Sequence, residues 1–211
     1  MHEKEPQGFN PSFENSELVD EKMVKWNEIS ERINETTDRL EHPIEEGIKE
    51  TVVVLNALGF TTSGSCEGHS DHGARAPYVM LDIDGLREAL LEIGKLGNQA
   101  YEAPPGKERD ELYSQFRSME QEAEKPLIEK GILLGGYLDR FYENRKTSFD
   151  ERLIIVREAR INLINQGAVF QSARDTESVA KHLAEYQQEM KEFTEFLKAE
   201  YFKVDSKKAD T

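Results

Sequence analysis

The chain is short of cysteine, of basic charge and of long apolar runs, and each shortage removes a class of protein. Its 211 residues include one cysteine, Cys66, so no disulfide can close within the chain, which fits a reducing compartment. No apolar stretch approaches the roughly 20 residues a helix needs to cross a bilayer. The start, Met1-His2-Glu3-Lys4-Glu5, has no apolar segment behind a basic end, so no secretory signal is expected. These readings predict a cytoplasmic protein with no membrane partner.

Basic residues number 27 against 42 acids, a formal charge of −15, and a field of that sign repels a phosphate backbone. General nucleic-acid binding is not expected. The balance is uneven: residues 1–50 carry 14 acids against 6 bases. Residues 140–160 instead bring together Arg140, Arg145, Lys146, Arg152, Arg157 and Arg160. Those cations either meet an anionic small ligand or pair with neighbouring acids on a solvated surface. No period of 20 to 50 residues repeats, so a solenoid is not expected.

With 37% hydrophobic and 33% charged residues, the chain has the composition of a globular domain with a charged surface. Residues 1–16 and 205–211 read as polar tails around one domain, 17–204, with the clearest internal break at Ala103-Pro104-Pro105-Gly106. Val19, Met23, Trp26, Ile29, Ile33 and Leu40 draw one helical stripe, and Ile44, Ile48, Val52 and Leu55 draw another over 43–58. Gly59 suits the left-handed position after that second helix. A short strand is predicted over 60–66 and an alternating one over 77–83. A helix follows from Asp84, then a second stripe at Leu112, Phe116 and Met119, which Pro126 is expected to end or kink before helical spacing resumes to Tyr142. Residues 152–170 read as one long strand or as a hairpin. Val179, Leu183, Tyr186, Met190, Phe193 and Leu197 form a closing stripe, which fits the domain's own core or a homodimer seam. The expected fold is α+β, predominantly helical, with a small, mostly antiparallel sheet carrying the Ser65–His72 loop.

That loop concentrates the reactive side chains. Ser63-Gly64-Ser65-Cys66-Glu67-Gly68-His69-Ser70-Asp71-His72-Gly73 holds the cysteine and two of the five histidines. Cys66, His69 and His72, three residues apart, offer the soft sulfur and imidazole nitrogens that zinc takes, with Asp71 or Asp82 as a fourth ligand. The same residues allow a covalent site with Cys66 as nucleophile and a histidine as its base. A third arrangement is non-covalent: Ser65, Gly68, His69, Arg75 and Tyr78 hold a small polar or anionic ligand through backbone amides and charge-assisted bonds. A fourth leaves the glycines to turns and the polar side chains to solvent.

The run Gly59-Phe60-x-Thr62-x-x-Ser65-Cys66-Glu67-Gly68-His69, followed by His72-Gly73 and Pro77-Tyr78-Val79, resembles uncharacterised bacterial proteins in which a Ser-Cys-Glu-Gly-His loop joins two strands. The resemblance implies that the loop is a family hallmark and brings no activity with it. A local similarity to wybutosine-synthesis methyltransferases of transfer RNA rests on their Ser-Cys-Ser-Gly-Arg turn, where this chain has Glu67 and His69. It implies an S-adenosylmethionine-dependent alternative. If the chain is an enzyme, the residues favour metal-assisted hydrolysis, with zinc on Cys66, His69 and His72 and Glu67 as general base. The competing class is a non-catalytic binding protein using the same loop for a small polar ligand or a protein partner.

Overall fold

A computed structural model describes residues 11–157, 160–170 and 176–203. Six helices and four strands follow in the order α1 (Pro11–Glu35), α2 (Glu46–Ala57), β1 (Thr61–Cys66), β2 (Tyr78–Asp82), α3 (Leu86–Glu102), α4 (Lys107–Tyr142), β3 (Leu153–Arg157), β4 (Ile161–Asn165), α5 (Gln166–Phe170) and α6 (Thr176–Phe202). The strands form one antiparallel sheet in the order β1-β2-β4-β3, so the fold is α+β and mostly helical, as expected. Residues 152–170, open between two readings, fold as the β3–β4 hairpin and then a short helix.

Alternation decides which face of the sheet is buried. Val79, Leu81, Ile161, Leu163 and Leu153 point inward and are at most 2% exposed, because α2 packs on β1 and β2 and α4 packs on β3. The same core takes Ile29 and Ile33 of α1, Ile48, Val52 and Leu55 of α2, Leu134 and Phe141 of α4, and Met190, Phe193 and Leu197 of α6. The α6 stripe is therefore spent inside its own chain, apart from Val179, whose side chain lies outside the described residues. A buried hydroxyl pair, Thr51 with Thr194 at 2.7 Å, joins α2 to α6 within this core.

Three boundaries differ from the sequence reading. Helix α1 begins at Pro11, inside the expected tail, where proline suits a first helical turn because its missing amide proton has no partner there. It stops at Glu35, short of Leu40, because the Asp38 carboxylate accepts the amides of Leu40 and His42 and turns the chain. Pro126 does not break α4, which runs for 36 residues through it and packs on α3 beyond the 103–106 turn. Its neighbour Leu127 is buried, and that packing offsets the one backbone bond a proline forfeits. The remaining residues of both expected tails lie outside the described residues.

The end of α2 matters for the site. The Phe60 amide donates to the Leu55 carbonyl at 2.9 Å and the Gly59 amide to Asn56 at 3.0 Å, with Gly59 at φ +87°. That is the Schellman closure, sealed by the buried Leu55 and Phe60 side chains. It turns the chain directly into β1, so β1 runs back along α2 and delivers Cys66 beside the start of that helix.

Candidate functional site

Helix α2 begins without a side-chain cap of its own: Glu45 precedes it in extended geometry, φ −62° and ψ 140°, and its carboxylate points elsewhere. The missing cap comes from the loop, where the Glu67 carboxylate accepts the Gly47 amide at 2.8 Å. In return the Glu45 carboxylate accepts the Glu67 amide at 2.6 Å. This exchange clamps the loop to the helix start. Gly47 leaves room for it, since a Cβ there would lie 2.7 Å from Glu67 Oε2 and push the carboxylate aside.

Gly68 sets the direction of the loop. It has φ +84°, and a Cβ would come within 3.0 Å of Leu183 of α6 and of the Ala76–Pro77 backbone. Gln187 of α6 donates to the carbonyls of Glu67, 3.0 Å, and Gly68, 3.3 Å, and the His69 amide donates to Ala74 at 2.7 Å. The loop is thus held by α2 on one side and α6 on the other.

Inside this frame Glu45, Cys66 and His69 each turn one ligating atom toward the same point, and the three atoms lie within 4.8 Å of one another. His69 Nε2 and Glu45 Oε1 share a hydrogen bond of 2.6 Å. The Gly68 amide donates to Cys66 Sγ at 3.4 Å. Burial works against the Glu45 carboxylate, but the Glu67 amide and His69 outweigh it and hold the group below the usual carboxylate range. For the Cys66 thiol, burial and the nearby negative charge of Glu45 act together and push it up, despite the Gly68 amide. Tyr78, paired with Cys66 across β1 and β2, is also raised, first by burial and then by Cys66 and Glu45.

Of the residues singled out in the sequence, Cys66 and His69 meet, and Glu45 joins them in place of His72. The His72 ring stacks on His69, centroids 4.1 Å apart, and its Nδ1 bonds Asp71 at 2.8 Å in an exposed position. Glu67, expected as general base, is occupied as the cap of α2. Arg75 is exposed on the loop and joins no ion pair among the described residues. Ser65 lines a cleft beside the cluster. Four of the six cations of 140–160 are engaged elsewhere: Arg140 with Glu200, Arg145 with Glu189 and Glu192, Arg152 over Tyr142, and Arg157 with Glu124. Sequence reasoning missed Glu45, which lies 22 residues from its partner and beside Glu46, where a pair of acids reads only as favourable charge at a helix start.

The cleft has a volume of about 620 Å³ and is lined by Arg32 and Ile33 of α1, the 36–45 connection, Val52 and Asn56 of α2, and Thr61–Ser65 of β1. Glu45 belongs to both cleft and cluster. Among protein-family models, curated proteins and solved structures, no match to this chain was found. No helix among the described residues is long and apolar enough to cross a membrane.

Proposed function

We propose that Glu45, Cys66 and His69 bind one zinc ion beside the cleft and that the protein is a metal-dependent hydrolase of a polar substrate. The observation that carries this reading is the convergence of a thiol, an imidazole and a carboxylate within 4.8 Å. Three protein ligands of these types, with a fourth position left for water, make the ligand set of a catalytic zinc site. Zinc held there supplies a Lewis acid and a water that loses its proton readily at neutral pH.

The chain's own groups do the rest. The Glu67 amide orients the Glu45 carboxylate, as outer hydrogen bonds orient metal ligands generally. The thiol gives up its proton on binding, so affinity rises with pH. His72, bonded to Asp71 and stacked on His69, is the general base: it takes the water proton as water adds to the substrate carbonyl carbon. The bond to the leaving group then breaks, and His72 returns the proton to that group.

A nucleophilic Cys66 draws less support, because reactive thiols have a lowered pKa and this one is raised. The test is hydrolysis of p-nitrophenyl acetate by untagged, zinc-loaded protein. Activity should vanish with 1,10-phenanthroline and return with added zinc. His72→Ala should keep the metal and lose at least about tenfold in rate. Stoichiometric zinc without turnover above that of free zinc would replace the hydrolase with a metal-dependent binding protein.

A further inference from the structure

Five consecutive residues of β1, Thr61 to Ser65, line the cleft. Side chains of a strand alternate between its faces, and β1 does so on either side of a bulge between Thr62 and Gly64, so a surface that touches every residue in turn runs along the strand's edge. Among the described residues that edge is free: β1 is terminal in the sheet and pairs with β2 alone. The facing wall is the 36–45 connection, a narrow loop closed by the Thr37–Pro43 bridge and ending in the extended Glu45. No backbone hydrogen bond joins that wall to β1 among the described residues.

An uncovered strand edge invites pairing with another chain, and proteins ordinarily cover it closely. Here the covering segment stands off and leaves about 620 Å³. The walls set one cation, Arg32, against two carboxylates, Asp38 and Glu45, and most of the other lining groups are hydroxyls or backbone. That surface suits an uncharged polar backbone better than a phosphate. The six residues of β1 span roughly 20 Å at about 3.3 Å per residue, enough to pair with a segment of four to six residues.

We propose that the cleft receives an extended polypeptide segment as an added strand on the free edge of β1. Main-chain hydrogen bonds supply the affinity in this mode of recognition. Because β1 ends at Cys66, the added strand passes the Glu45–Cys66–His69 cluster and brings a peptide carbonyl to it. The substrate class is therefore peptide, an assignment that rests on the metal-site reading for its chemistry but not for its binding.

The test uses an acetylated and amidated Thr-Val-Thr-Val-Thr peptide, and the same peptide N-methylated at alternate residues to remove its donors. Both are titrated into ¹⁵N-labelled full-length protein, in zinc-loaded wild type and in Cys66→Ala. The plain peptide should shift the amides of residues 61–66 and those of His42, Ile44 and Glu45 in both proteins. The N-methylated form should bind at least about tenfold more weakly, the loss of one or two net hydrogen bonds. Equal binding of the two peptides, shifts confined to other elements, or no binding at millimolar peptide would overturn the proposal. The same shifts in a wild type that takes up no zinc would leave strand addition standing while removing the metal reading.

Discussion

At Glu45 the carboxylate turns away from the helix it begins and toward a loop 22 residues on, and that single choice of direction assembles the cluster. Glu45→Gln should therefore loosen the loop as well as weaken metal binding, because the amide side chain accepts from Glu67 less strongly than a carboxylate does. The raised Cys66 thiol has its own consequence. In metal-free protein at pH 8, iodoacetamide should alkylate Cys66 more slowly than in the urea-unfolded chain, since burial and Glu45 keep the thiol protonated. Faster labelling than in the unfolded chain would restore the nucleophile. Gly68→Ala is the sharpest steric test: it asks an L side chain to hold φ +84° with a Cβ 2.7 Å from Leu183. We expect a loss of at least about 2 kcal/mol in urea denaturation. The loop itself was legible in the sequence because its reactive residues are neighbours. Glu45 was not, because nothing local distinguishes an acid that caps its own helix from one that reaches a distant loop.

Among the elements, α2 was read closely because its punctuation is local: Ile48, Val52 and Leu55 give the stripe and Gly59 closes it. Gly59→Ala should cost about 1 kcal/mol, the penalty of a left-handed residue with a side chain, since open space surrounds its Cβ. Pro126 misled for the opposite reason, as a proline's local cost is overridden by the packing of α4 on α3 and the core, which a single chain position does not reveal. The α6 stripe fitted a dimer seam and a core equally well by periodicity, and only the described fold shows Phe193 and Leu197 fully buried within the chain. Phe193→Ala should lose about 3–5 kcal/mol, read as a lowered denaturation midpoint.

Across the whole molecule, acids outnumber bases 42 to 27, and the cations present meet specific acids at specific places. Arg145 bridges Glu189 and Glu192 of α6, and Gln188 first and Arg145 second hold the Glu192 carboxyl below its usual value. A carboxylate lowered in this way stabilises the fold above its ordinary pKa, and that contribution is lost as pH falls through its folded value. Glu192→Gln should therefore destabilise the protein by no more than about 1 kcal/mol at pH 7, and the difference should shrink toward pH 3. The basic 140–160 segment was legible as charge but not as pairing, because its partners lie on another element, more than 40 residues away for Glu189 and Glu192. The central claim joins all three scales: a loop, a helix start and the sheet edge between them form one metal site. Elemental analysis of untagged protein equilibrated with zinc tests it most directly. One zinc per chain is expected, lost in Glu45→Ala, Cys66→Ala and His69→Ala and kept in His72→Ala; no stoichiometric zinc in the folded wild type, or its loss in His72→Ala alone, would contradict the metal site.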